Sequence, residues 1–171
     1  LRSFPEARVI WMYRRPGENA ESQLQKFAQP VRAIQLVYAG MPGGGWLAEG
    51  ASDEAVEALR RLDGARLSDF DWACLNWWLR NRSYFEQGLD ADERVRLLRY
   101  EDVVTDPRSV LPPVIEWLGL TPDDTAFRFV HARSAHKPLL PVMDPEVERL
   151  CDALLQDLDS QPGFGTVRPT A

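Results

Sequence analysis

Residues Ala7 to Tyr13, and the four residues that stop them, set the first constraint on this chain. The run is short and apolar, with β-branched and aromatic members Val9, Ile10, Trp11 and Tyr13. That pattern predicts a strand buried on both faces, as in a parallel sheet. Arg14-Arg15-Pro16-Gly17 ends it, because proline and glycine break the strand, while Pro16 can open a helix at its first position. A helix is then expected over roughly Gly17 to Ala28, with Ser22 on its second turn. A strand's carboxyl end, a basic loop and a helix amino terminus therefore meet at one point. In open α/β sheets ligands bind there, and a helix amino terminus beside arginines favours an anion.

A second segment has the same order of elements. Val95, Leu97 and Leu98 form a strand leading into Tyr100, and Asp106-Pro107 caps a helix. That helix buries Val110, Leu111, Val114, Ile115 and Leu118, with Pro112-Pro113 in its first turns. Glu101 and Asp102 invite comparison with a catalytic carboxylate pair. Continued as a strand, the two side chains would point to opposite faces and could not both meet one substrate. Asp102 then fixes a loop.

Between and after these segments the pattern is mostly helical. Val31 to Ala39 is apolar enough for a buried helix or a strand. Gly43-Gly44-Gly45 is not followed by Gly-Lys-Ser/Thr and reads as a surface loop, with Trp46 placed to touch a substrate or simply exposed. Ser52 caps a helix to Leu62, and Ser68 caps a longer one to about Gln87. The longer helix carries Phe70, Cys74, Trp77, Trp78, Asn81 and Phe85. Its tryptophans are core and inter-helix packing, or one of them faces an acceptor. Thr121 to Val130 reads as a capped helix with Phe127 and Val130 inward. A last helix from Asp144 to Leu158 buries Val147, Leu150, Cys151, Leu154, Leu155 and Leu158.

Composition narrows the chemistry. A chain of 171 residues, 44% hydrophobic, can bury one real core. A formal net charge of −6 gives no general attraction to nucleic acid or to an anionic membrane surface. An anionic ligand would need a local basic pocket, which Arg14 and Arg15 can supply. Cys74 and Cys151 fall in apolar helical patterns and read as buried free thiols. His131 and His136 are five residues apart without a third ligand, so no metal site is expected and they read as packing or solvated histidines. No run of 18 apolar residues and no signal-like start occur, the pattern of a soluble, cytoplasmic protein.

The two segments together resemble the sulfotransferase family. In its members a strand, Arg-Asp/Asn-Pro and a helical Ser follow one another, with the Ser eight residues after the Arg, the interval between Arg14 and Ser22 here. Arg15 stands where the family usually has Asp or Asn. The family's second strand ends in a YED sequence, continues through an Asp/Asn-Pro turn and enters a helix closing on an aromatic-Leu-Gly-Leu. Arg99-Tyr100-Glu101-Asp102, Asp106-Pro107 and Trp117-Leu118-Gly119-Leu120 match in order and spacing.

The resemblance implies a three-layer α/β domain with a parallel sheet, a P-loop-containing nucleotide hydrolase-like fold. It implies transfer of a sulfuryl group from 3′-phosphoadenosine 5′-phosphosulfate (PAPS) to an acceptor hydroxyl or amine, leaving 3′-phosphoadenosine 5′-phosphate. Arg14 would be the bidentate 3′-phosphate ligand and Ser22 a hydroxyl donor to it. Tyr100 would touch the nucleoside end, unless it is a sheet-edge tyrosine with a satisfied hydroxyl. Ser134 and Lys137, with Arg133, would lie in the region that closes over the cofactor. The family's 5′-phosphosulfate loop and catalytic base precede the matched segments, so no catalytic residue is assigned. Residues 1–171 are expected to be the 3′-phosphate and adenosine half of a larger domain, or a divergent member lacking its P-loop portion, with 162–171 as tail. Uncovered edges would make the chain self-associate. Two rivals follow: a non-catalytic nucleotide- or protein-binding module of this fold, and a P-loop kinase relative, which needs a Gly-Lys-Ser/Thr loop.

Overall fold

The computed structural model describes residues 3–123, 125, 127, 130 and 139–164. The elements run β1 (Val9–Tyr13), α1 (Pro16–Lys26), α2 (Arg32–Ala39), α3 (Trp46–Glu49), α4 (Asp53–Arg60), α5 (Asp69–Glu86), β2 (Val95–Arg99), α6 (Tyr100–Thr105), α7 (Pro107–Trp117) and α8 (Pro145–Ser160). The chain divides into two compact units. One comprises Leu1–Arg14, Asp90–Pro138 and Ser160–Ala171, the other Arg15–Leu89 and Leu139–Asp159.

The first unit is built on a parallel pair. β1 and β2 lie in register from Val9 opposite Val95 to Tyr13 opposite Arg99. The Val9 amide opens the ladder by donating to the Arg94 carbonyl at 2.8 Å. Partners in a parallel register share a face, so Ile10, Met12, Arg96 and Leu98 look one way. Against that face α7 sets Val110 and Val114, which form a cluster with Leu98 and Val103, while Ile10, Leu111 and Leu118 pack at its margin. The prolines 112 and 113 sit in the body of α7 rather than in its opening turn, where Pro107 already stands. At the far end of the helix, the guanidinium groups of Arg8 and Arg96 lie 5.5 and 5.8 Å from the Trp117 ring.

Two expectations for this unit need correction. β1 is not buried on both faces: only Tyr13 is buried, and Met12 is 52% exposed. The better-covered strand is β2, whose Val95, Leu97 and Leu98 are buried, because it has a neighbour on each side: β1 and a parallel bridge from Leu97 to Gly163. Gly163 therefore joins the sheet, and Phe164 meets the Trp117 ring edge-on, so the stretch expected as tail includes two packed residues. Of the helix expected over Thr121 to Val130, Phe127 is buried, and several of its residues lie outside those described.

The second unit is helical. Val31–Ala39, open between helix and strand on sequence, is helix α2 and buries Ile34 and Val37. Its core is α5, which is buried nearly all round: Phe70, Trp72, Cys74, Leu75, Trp77, Trp78 and Leu79 are at most 6% exposed. Three of the chain's tryptophans are thus core residues. Trp77 buries its indole N–H with no hydrogen-bond acceptor among the described residues. A polar seam runs beside them, where Asn76 donates to Gln23 of α1 at 2.7 Å and Gln23 donates to Asn19. The triple glycine has a backbone explanation. Gly43 and Gly45 take φ of 107° and 57°, and a Cβ on Gly44 would lie 2.8 Å from Val37 and 2.9 Å from Ala48.

Both capped helices begin where their serines stand. Ser52 accepts from the Ala55 amide. Ser68 and Asp71 form a reciprocal capping box at the start of α5. Asp71 is buried and does more than cap its own helix, because its second oxygen accepts the Asp144 amide at 2.8 Å, at the residue that precedes α8. One carboxylate therefore ties the starts of α5 and α8. Deeper along the same helix pair, the Cys151 thiol donates to the Cys74 carbonyl at 3.6 Å, and both cysteines are free and buried. Burial, with the Asp71 charge added, pushes the Cys74 thiol from 9.0 up to about 12, and burial likewise raises Cys151.

Two outcomes are expected. Asp71→Ala strands three donors and should cost about 2–4 kcal/mol, against about 1 kcal/mol for Ser68→Ala; urea midpoints measure both, and equal losses would mean the Asp144 bond contributes nothing. The thiols carry a pH signature. Their pKa values are higher folded than unfolded, so their contribution is full below 9.0 and disappears as pH climbs toward about 12. The midpoint should fall over that range, less steeply in a Cys74→Ala/Cys151→Ala double variant. In the native chain neither thiol should react with a thiol reagent at about pH 8.

Candidate functional site

The site grows from the ends of the two strands. Tyr13 and Arg99 are the last paired residues, so the next residues, Arg14 and Tyr100, face each other where the ladder stops. Arg14 is half-buried, and its guanidinium carbon lies 4.7 Å from the centroid of the Tyr100 ring. A guanidinium over a tyrosine face at this distance is held by the ring's quadrupole, by about 1–2 kcal/mol where water is partly excluded. Each residue was singled out for a separate reason in sequence; the register brings them together.

Tyr100 also begins α6, so the YED segment is the first turn of a helix and not the continuation of a strand. That overturns the opposite-faces argument for Glu101 and Asp102. The pair still does not act as two equivalent carboxylates, because Glu101 faces its own neighbour: the Arg99 Nε lies 3.5 Å from Glu101 Oε2, with both side chains largely covered. Both acids stand in the first turn of α6, where they complement the positive end of the helix dipole. Asp106, expected to cap α7, does so by accepting from the Ser109 amide at 3.2 Å. The carboxyl end of the strand pair therefore holds two arginines with different surroundings, one over an aromatic ring and one beside a carboxylate.

Ser22 belongs to the second unit, on the second turn of α1, where it is half-buried beside buried Gln23. The chain passes from the first unit to the second between Arg14 and Arg15. Arg15 is exposed and supplies the N-cap backbone of α1, its carbonyl accepting from the Asn19 amide, with no side-chain cap. Pro16 occupies the first helical position, as expected. The first turn of α1 is closely packed. Glu18, in its first turn, is buried, and a Cβ on Gly17 would lie 3.0 Å from Leu140 and 3.5 Å from Phe70.

Ser134 and Lys137, with Arg133 and both histidines, lie outside the described residues. Trp46 is 56% exposed at the start of α3, with the Arg80 guanidinium 5.0 Å from its ring. Sequence reasoning missed Arg99, Glu101 and Glu18 as parts of this chemistry. A signal for the first two existed: Arg14 and Tyr100 each follow a strand directly, so pairing the two strands in parallel would have placed their neighbours too. Among the described residues no group of His, Cys, Asp and Glu is arranged to hold a metal ion, and no helix is long and apolar enough to cross a membrane. Comparison with protein-family models, with curated proteins and with solved structures finds no match.

Proposed function

We propose that this chain carries the 3′-phosphate and adenosine side of a sulfotransferase cofactor site, on a three-layer fold of the P-loop type. The observation that carries the reading is the juxtaposition of Arg14 and Tyr100. Two segments chosen for their resemblance to that family pair in parallel, and two of the residues expected at the cofactor, Arg14 and Tyr100, meet at the carboxyl end. That is the end at which parallel α/β sheets bind ligands. In the proposed reaction Arg14 holds the 3′-phosphate with two parallel N–H···O bonds, and Ser22 adds a hydroxyl donor. PAPS supplies the sulfuryl group, which passes to an acceptor hydroxyl or amine. The cationic groups of this half fix the cofactor and offset its charge while that transfer takes place.

A second reading is favoured by α1. Glu18, buried in the first turn of α1, adds a negative charge at the end that would attract an anion, and the Leu140 side chain lies beside Gly17. A non-catalytic module of the same fold would keep the scaffold for nucleotide or protein binding without sulfuryl transfer.

Calorimetry with 3′-phosphoadenosine 5′-phosphate and with AMP separates the readings. Arg14→Ala should weaken the bisphosphate by roughly 2–4 kcal/mol and AMP far less, since AMP has no 3′-phosphate. Ser22→Ala should cost about 1–2 kcal/mol. Arg14→Lys should recover only part of the loss, because a point charge does not reproduce the fork. Arg15→Ala should weaken both nucleotides slightly and approach the unsubstituted chain as salt rises. Equal losses for both nucleotides in Arg14→Ala would remove the 3′-phosphate assignment, and binding of neither nucleotide would favour a non-catalytic, protein-binding module.

A further inference from the structure

We infer that Tyr100 is a positioning residue for Arg14: its ring holds the guanidinium in one orientation at the carboxyl end of the β1–β2 pair. The functional consequence rests on the proposed 3′-phosphate role of Arg14; the stack itself does not. Three observations support it. The register ends at Tyr13 and Arg99, which fixes the Arg14 and Tyr100 backbones opposite each other. The Tyr100 backbone is further held because it follows the last residue of β2 and opens α6. The guanidinium carbon lies 4.7 Å from the ring centroid, the separation of a stacked cation.

The chemistry gives this arrangement a purpose. An arginine side chain has large rotamer freedom, and ordering it on binding an anion opposes affinity. A ring that holds the guanidinium before the ligand arrives removes much of that cost. The ring covers a face of the guanidinium and not its N–H edge, so the stack itself occupies none of the donors. The role differs from a direct platform for the nucleoside, since the ring face toward Arg14 is already covered. Arg99 lies beside the Glu101 carboxylate at 3.5 Å.

The test has one readout without any ligand and one with it. In the NMR spectrum of the unsubstituted chain, the side-chain protons of Arg14 should be shifted upfield by the Tyr100 ring current. The shift should persist in Tyr100→Phe and vanish in Tyr100→Leu. In calorimetry Tyr100→Leu should weaken 3′-phosphoadenosine 5′-phosphate by about tenfold and AMP by less than about twofold. Tyr100→Phe should stay near the unsubstituted value, and adding Tyr100→Leu to Arg14→Ala should cost nothing more. Absence of the shift in the unsubstituted chain would overturn the inference even if Tyr100→Leu failed to fold. So would a Tyr100→Leu loss equal for both nucleotides and additive with Arg14→Ala, which would make Tyr100 a nucleoside contact. A ring-current shift with no 3′-phosphate preference at Arg14 would leave the positioning role standing and remove the sulfotransferase reading instead.

Discussion

The parallel direction of β1 and β2 is the constraint on which the architecture depends. Antiparallel strands can be joined by a two-residue turn, whereas parallel ones need a long crossover. Here the crossover is everything between Tyr13 and Val95, and most of it is the second compact unit. Parallel pairing also places both strand exits at the same end. With β1 and β2 in register, Arg14 and Tyr100 must be neighbours, and α6 must start beside the point where the chain leaves β1. A hairpin of the same two strands would have put those residues at opposite ends of the sheet.

The helical unit is organised by a different force. α5 is the only described helix buried on nearly every side, and α1 and α2 pack against it. Three buried tryptophans give it a large apolar surface, each removing roughly 150–250 Å² from water. A helix this deeply buried has costly ends, since its first amides have no partners within the helix. Asp71 and Ser68 meet that requirement, and the same carboxylate reaches across to the start of α8. The covering helices contribute polar groups only where those find partners, as Gln23 does with Asn76.

The cationic groups at the strand exits show how one charge type can be given separate tasks. Arg99 is set against the Glu101 carboxylate, and Arg14 against an aromatic face. A carboxylate competes with an incoming anion for the guanidinium; a ring face does not. α1 presents the contrasting case. Its amino end already holds Glu18, so its dipole is partly answered within the helix.

The sequence determined the local elements by itself. Proline, glycine, serine and aspartate act over one turn, so Pro16 at the head of α1 and Ser52, Ser68 and Asp106 as caps were legible, as was the apolar stripe of α8 at Val147, Cys151, Leu154 and Leu158, while Leu150 and Leu155 are only half-buried. Val31–Ala39 was not, because a short apolar run has no periodicity strong enough to choose helix over strand, and packing of Ile34 and Val37 decided it. The burial of β1 was overread for a related reason: composition reports that a strand is apolar, while its neighbours in space determine how much of it is covered. The sequence has a strand leading into Tyr100 and Asp102 fixing a loop, because YED carries no strong helix signal, yet Tyr100–Thr105 turn helical where β2 ends. The Arg14–Tyr100 stack belongs wholly to the tertiary structure. Both residues were visible as candidates, but 86 positions separate them in the chain, and only the strand register sets one against the other. Local signals act through bonds and nearby amides; a stack between distant side chains exists only after the sheet has formed.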